Sequence, residues 1–186
     1  MSKKIVALFG APGSGKGTQA NSIKLEYQLP ILSIGQLIRA EINAQTEFGN
    51  QVEKSIERGE LVTDDLIIDF IEKELNKEKF QEGFISDGFP RTKVQCEFFE
   101  KYFNGSGHQI SYIYLEVDQE SVQKRIEKRK LEVNRTDDGR KIVIKRLKQF
   151  YNEIEQIKQY YQEKLVLING NQPVNSVYNE IKKIIK

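Results

Sequence analysis

The stretch Gly10-Ala11-Pro12-Gly13-Ser14-Gly15-Lys16-Gly17-Thr18 constrains this chain more than any other. It follows an apolar run, Ile5-Val6-Ala7-Leu8-Phe9, and opens a segment of helical character over 17–27. Strand, glycine-rich loop and helix in that order make a phosphate-binding loop. The glycines let the backbone curl so that successive N–H groups converge on an anion. The helix start adds unpaired N–H groups and the positive end of its dipole. Lys16 supplies a mobile positive charge for terminal phosphates. A plain turn would explain the glycines but not a lysine directly after Gly15.

The general loop of this kind places Ser or Thr directly after the lysine as a ligand for Mg²⁺. Here that position is Gly17, and Thr18 follows. The ending Lys16-Gly17-Thr18, with Gly10, Pro12, Gly13 and Gly15 ahead of it, resembles the loop of the nucleoside monophosphate kinases.

Further short apolar runs occur at 30–33, 83–86, 111–117 and 165–168, with helix-like segments between them. That alternation predicts an α/β fold: a five-stranded parallel sheet with helices on both faces. The runs show little polar alternation, as strands buried on both faces should. At 186 residues the chain is read as one domain. A long insertion follows the second run, with helical periodicity at 36–45, 50–58 and 64–75. Asp64 and Asp65 stand where an N-cap and a first-turn acid belong. A helix over 140–163 is read with Ile144, Leu147, Tyr151, Ile154 and Tyr161 as its buried stripe. A last helix over 174–185 turns Val174, Val177, Tyr178, Ile181, Ile184 and Ile185 to the sheet.

Twenty-nine basic residues against 27 acidic ones leave a net charge of +2, which gives no support to a nucleic-acid or membrane partner. The single Cys96 excludes an internal disulfide and a cysteine zinc site. The lone His108 sits in a turn-like stretch and is read as a surface loop residue. No apolar run approaches membrane-spanning length, and the N-terminus leads straight into the first strand. A reducing, cytoplasmic location is the expectation.

The third run ends in Asp87-Gly88-Phe89-Pro90-Arg91-Thr92. Ligand sites of open parallel sheets lie at the carboxyl ends of strands, which places Asp87 beside the phosphate loop. A carboxylate there can hold Mg²⁺ directly or through water; as a bare turn acid it would cap a helix. The fourth run ends in Glu116-Val117-Asp118, where Asp118 caps a helix carrying Lys124, Arg125, Lys128, Arg129 and Lys130. Arg125 and Arg129 are four apart and share a face. Periodicity breaks over 131–140, and Lys145 and Arg146 follow. Several arginines around a phosphate loop suit bidentate phosphate recognition.

These motifs together resemble the adenylate kinase family, short-lid type, over nearly the whole chain. The resemblance rests on the phosphate loop, Gly35-x-Leu37-x-Arg39, Gly59-Glu60-Leu61-Val62, Asp87 to Thr92 with Gln95, Arg125 with Arg129, Arg135-x-Asp137-Asp138, and Arg146. It implies a P-loop kinase fold with a core of 1–33, 63–129 and 141–186, a monophosphate-binding insertion at 34–62 and a short lid at 130–140. It implies transfer of the γ-phosphoryl group of MgATP to AMP, giving two ADP, by a monomer.

The resemblance also implies roles. Gly13, Ser14, Gly15, Lys16, Gly17 and Thr18 would bind the ATP phosphates, with Arg125 and Arg129 serving ATP and Gln172 contacting its adenine. Arg39 and Arg91 would grip the AMP phosphate. Ile34, Glu60, Leu61, Val62, Gly88, Phe89 and Pro90 would line the AMP pocket, and Gln95 would read the adenine edge. Arg135 and Arg146 would reach the transferring phosphates. Lys16, Arg91, Arg129, Arg135 and Arg146 form the catalytic set, and Asp87 holds the water shell of Mg²⁺. Asp137 and Asp138 would pair with arginines when the lid closes.

Two positions depart from the family. Its Ser-Thr-Gly-Asp element reads Ser33-Ile34-Gly35-Gln36 here. Ile34 cannot supply the usual hydroxyl, and Gln36 lacks the charge of the usual Asp. The lid reads Val133-Asn134-Arg135 where short-lid relatives often have Ser-Gly-Arg. One alternative is a UMP/CMP-type kinase, against which Thr92 and Gln95 speak. Another is a nucleotide-binding paralogue with weakened catalysis, motivated by Ile34 and Gln36 and opposed by Lys16, Asp87 and the arginines.

Overall fold

The computed structural model describes residues 3–58, 60, 62–132 and 140–185 of the chain. Its centre is β1 (Lys4–Phe9), in which every residue after Lys4 is buried. Successive side chains of a strand point to opposite faces. Accordingly Ile5, Ala7 and Phe9 enter one apolar cluster, while Val6 and Leu8 enter another. Only a sheet covered on both sides satisfies both sets, and helical crossovers between parallel strands supply that cover.

Among the described residues the sheet has five parallel strands in the order β2-β3-β1-β4-β5. They are β2 (Ile31–Ser33), β3 (Gly83–Asp87), β4 (Gln109–Glu116) and β5 (Leu165–Asn169) beside β1. One face is covered by α1 (Lys16–Tyr27) and α8 (Val174–Ile184), whose Ala20, Ile23, Val177 and Ile181 join Val6 and Leu8. The other is covered by α4 (Asp64–Leu75), α5 (Lys93–Phe103) and α7 (Arg140–Tyr161), whose Ile71, Phe99 and Ile157 join Ile5 and Phe9. Burial of each large apolar side chain contributes about 1.5–3 kcal/mol.

Two helices, α2 (Ile34–Asn43) and α3 (Glu47–Glu57), follow β2 and pack on each other. Their close approach needs Gly49, where a Cβ would stand 2.3 Å from the Glu41 carbonyl oxygen. Phe48 of α3 stacks on Phe70 of α4 with centroids 4.2 Å apart. The remaining helix, α6 (Gln119–Glu132), starts behind Asp118, whose carboxylate accepts the Ser121 N–H at 2.8 Å. That bond holds the Asp118 carboxyl below its ordinary value.

The register places the site. Leu8 pairs with Asp87, and Ser33 also pairs with Asp87, so β1, β2 and β3 end level with one another. The chain passes to one side of β1 for β2 and β3 and to the other for β4 and β5. The ends of these strands therefore surround a topological switch point, where open α/β sheets bind ligands.

Several expectations are corrected. β4 starts at Gln109 rather than 111, because Gln109 and Ile110 pair with Lys4 and Ile5, and it ends before Val117. β5 is an edge strand, so Val166 and Leu167 are 40% and 53% exposed despite the apolar run. Ile144 is 56% exposed. The rest of the expected stripe holds, with Ile154 and Tyr161 buried and Leu147 and Tyr151 packed against the core, and Val143 and Ile157 join it. Val174 does not reach the sheet; it is exposed and borders the cleft described below. The N-cap of α4 is Thr63, which leaves Asp64 and Asp65 together in the first turn.

Candidate active site

The loop after β1 is folded by its own backbone: the Ser14 N–H donates to the Ala11 carbonyl at 2.9 Å. Gly13 has φ 85°, and a Cβ there would stand 2.7 Å from Ile126 Cγ1. A side chain at that position would meet both backbone strain and a collision. Gly15, at φ 98°, occupies the N-cap of α1. Among the described residues no side chain caps this helix, and its first turn holds no acid. Its terminal N–H groups and positive dipole end are thus offered to an anion. Lys16 Nζ donates to the Gly10 and Ala11 carbonyls at 2.7 and 3.0 Å, folded over the same loop.

Asp87 closes β3 and faces this helix start: a Cβ on Gly17 would lie 4.0 Å from Asp87 Oδ2. That spacing is ordinary contact for a Cβ. Ser33 stands at the N-cap of α2, yet its hydroxyl donates to Asp87 Oδ2 at 3.2 Å. Among the described residues no group of three His, Cys, Asp or Glu side chains could hold a metal ion. A single carboxylate beside a phosphate loop does suit Mg²⁺, which keeps several waters and takes its other ligands from phosphate.

Two arginines of the cleft lining are each laid against a glycine. Arg39 stands one turn beyond Gly35, where a Cβ would be 3.3 Å from Arg39 Nη1. Arg91 Nε donates to the Gly88 carbonyl at 2.7 Å, and a Cβ on Gly88 would lie 2.7 Å from Arg91 Nη2. Gly88 also has φ 86°, a conformation that favours glycine. The Arg91 N–H donates to Gln95 Oε1 at 2.8 Å. Gln95 Nε2 and Thr92 Oγ1 both donate to Asp64 Oδ1 at 2.8 Å. Across the opening, Lys145 Nζ donates to Glu60 Oε1 at 2.8 Å. That bond, with Arg58 nearby, holds the Glu60 carboxyl below its usual range.

These groups share one cleft of about 820 Å³. Gly13 through Thr18, Ile34, Arg39, Glu60, Asp87, Gly88, Pro90, Arg91, Arg125, Arg146 and Gln172 all line it. Among its described lining residues are six basic side chains and three acidic ones, which suits polyanionic ligands. Arg125 ties the loop to the turn after β5, donating to the Ser14 carbonyl at 3.2 Å and the Gly170 carbonyl at 2.8 Å. Gln172, on that turn, donates to Glu180 Oε1 at 2.8 Å.

Three residues assigned to the AMP pocket do not line the cleft: Val62, Phe89 and Gln95 are buried at 8%, 1% and 3% exposure. Leu61, Arg135, Asp137 and Asp138 lie outside the described residues, as does the side chain of Arg129. Most of the expected lid, 133–139, lies outside them as well. Sequence reasoning did not give site roles to Ser33, Lys128 or Asp64. Ser33 and Lys128 line the cleft, and Asp64 anchors Gln95. The Ser33–Asp87 contact follows from strand register, and the Asp64 contact joins two helix starts 28–31 residues apart. No local pattern signals either.

The family model described as adenylate kinase matches residues 8–166 of the chain. An adenylate kinase of Parabacteroides distasonis is 37% identical over 183 residues, covering 97% of this chain and 96% of the relative. One of Synechococcus is 37% identical over 181 residues, covering 95% and 93%. Adenylate kinase 1 of Synechocystis is 36% identical over 189 residues, covering 100% and 98%.

Proposed function

The chain belongs to the adenylate kinase family, and from that premise we propose that it transfers the terminal phosphoryl group of ATP to AMP, forming two ADP. The observation that carries the reading is the shared cleft. The start of α1, which has no side-chain cap among the described residues, lines one cleft together with Lys16, Asp87, Arg39 and Arg91. A donor site and an acceptor site must face each other for in-line transfer, and this cleft has cationic groups on both walls.

Phosphoryl transfer asks the protein for position and charge more than for a general base. The AMP phosphate is already an anionic nucleophile. On the donor side, the loop N–H groups from Gly13 to Thr18 cradle the ATP phosphates. Lys16 exchanges its carbonyl partners for the terminal phosphates. Arg125 ties the loop at Ser14 to Gly170 on the turn after β5. On the acceptor side, Arg39 and Arg91 hold the AMP phosphate in line, and Arg146 faces the group in flight. Arg129 and Arg135 complete the catalytic set on the family's pattern. Charge neutralisation by such fixed cations is worth most in a cleft that excludes water. On the family's pattern, the insertion 34–62 and the lid 130–140 would supply that exclusion.

Mg²⁺ fits the residues present: Asp87, oriented by Ser33, would hold it through water near the phosphate loop. It would supply positive charge that offsets the charge on the phosphoryl group being transferred. Gln36 stands on the cleft wall and can hydrogen-bond such waters without adding charge. The proposal takes the protein to be a monomer acting in the cytoplasm. Among the described residues no helix is long and apolar enough to cross a membrane.

The test is a coupled phosphotransfer assay with MgATP against AMP, CMP, UMP and GMP. AMP should be strongly preferred. A pyrimidine preference would move the chain to the UMP/CMP-type alternative, which the adenylate kinase relatives do not favour. No turnover with any acceptor would make it a nucleotide-binding paralogue.

A further inference from the structure

A second groove, of about 530 Å³, lies between the insertion helices and α4, apart from the nucleotide cleft. Glu41 and Glu47 line it from α2 and α3, and Asp69 and Glu74 line it from α4. Against these four carboxylates its described lining holds one cation, Lys73. Like charges gathered on facing helices repel one another and together attract a positive ligand.

Glu74 adds a demand of its own. Its side chain is 6% exposed, whereas Glu47 and Asp69 stand in the open. Lys77 Nζ donates to Glu74 Oε1. Glu74 Oε2 is buried and has no hydrogen-bond partner among the described residues. A buried carboxylate oxygen without a donor costs stability. An ammonium group carries three donors and no acceptor, which is the chemistry this oxygen lacks.

The arrangement of the acids decides which kind of cation fits. Among the described residues no three His, Cys, Asp or Glu side chains converge closely enough to hold a metal ion. A point ion therefore cannot meet these acids together. A chain of ammonium groups separated by methylenes can meet them one at a time. Its methylenes would lie on the apolar part of the lining, where Leu66 stands beside Phe48 and Phe70, stacked with centroids 4.2 Å apart. The nucleotide cleft repels the same molecule, since six basic side chains line it against three acidic ones. We infer that the groove between α3 and α4 is a binding site for a linear aliphatic polyamine. A polyamine held there ties the insertion helices to α4 through opposite charge, and it does so whether or not the neighbouring cleft holds a nucleotide.

The test titrates spermidine into the full-length, nucleotide-free protein by calorimetry and follows the Tm at rising spermidine. The control is magnesium chloride at matched ionic strength. One spermidine should bind per chain, and the Tm should rise with its concentration, by more than magnesium chloride raises it. Glu74→Gln should weaken binding about tenfold, as loss of a hydrogen bond between charged groups does. Asp69→Asn, at an exposed position, should weaken it about two- to fivefold. If Glu74→Gln does not fold, Asp69→Asn combined with Glu47→Gln takes its place, since both positions are exposed. No binding at millimolar spermidine, an equal Tm rise with magnesium chloride, or wild-type affinity in the folded variants would each overturn the inference.

Discussion

The two walls of the cleft use the same physical elements in opposite ways. On the donor wall the start of α1 has no side-chain cap among the described residues and no acid in its first turn. Its N–H groups are left for a ligand. On the acceptor wall the start of α5 is capped by Thr92, and Thr92, Gln95, Asp64 and the Arg91 backbone bond to one another. Those groups hold side chains in place for a ligand rather than meeting it with bare backbone. A backbone cradle needs glycines and a helix start, which nine consecutive residues provide. A side-chain site needs pieces from β2, α2, the end of β3 and α5 brought level by strand register. On the proposed reading the first recognises phosphate as such and the second also which monophosphate.

That contrast can be broken, most sharply at Lys16. Lys16→Ala should lower kcat by about 10²–10³-fold or more, as loss of a transition-state charge partner does, with the circular dichroism of the fold retained. Near-normal turnover would remove the donor wall from the chemistry. Next in size, Arg39→Ala should raise the KM for AMP by about tenfold or more through loss of a charge-assisted phosphate contact. The KM for ATP should stay near the wild-type value. Equal rises in both KM values would erase the division between the walls.

Ile34→Thr sharpens the acceptor side. Ile34 is 2% exposed and packs in the cluster that includes Ile38 and Val52. The substitution should cost about 1–3 kcal/mol of stability, read by chemical denaturation, from lost burial and a buried hydroxyl. It should lower the KM for AMP by restoring a hydroxyl at the cleft. An unchanged KM would mean that this position does not face the acceptor.

The smallest effect belongs to Lys145→Gln, which removes the bond to Glu60 at the cleft opening. Exposed pairs contribute little, so the Tm at neutral pH should fall only slightly. The Glu60 carboxyl is held below its ordinary value, chiefly by the Lys145 hydrogen bond. Its contribution is therefore present above the ordinary Glu range and is lost as pH falls through the lowered value. The Tm difference between variant and wild type should shrink as the pH falls below the ordinary Glu range. A difference that persists in acid would point to a packing role for the lysine stem.

How much could be read in advance followed the same line. The buried strands were legible, because β1 and the middle of β4 carry unbroken apolar runs. β5 carries one too, but its exposed Val166 and Leu167 show that such a run does not distinguish a central strand from an edge. Ile144 and Val174 were misjudged for a related reason. Helical periodicity says which residues share a face, not where along the helix that face meets the core. The phosphate loop was legible from residue chemistry alone. The arginines acquired roles only through family resemblance, since each alone could be a solvated charge. The links through Ser33 and Asp64 were illegible: each joins residues far apart in the chain, and a helix-start role already accounted for Asp64.

The most direct test of the central claim, a phosphate cradle facing a monophosphate site, uses one nucleotide at both walls. The protein is mixed with MgADP alone and followed by phosphorus NMR. The account predicts that ATP and AMP appear in equal amounts, with no inorganic phosphate. Release of phosphate without AMP, or ADP left unchanged, would contradict it.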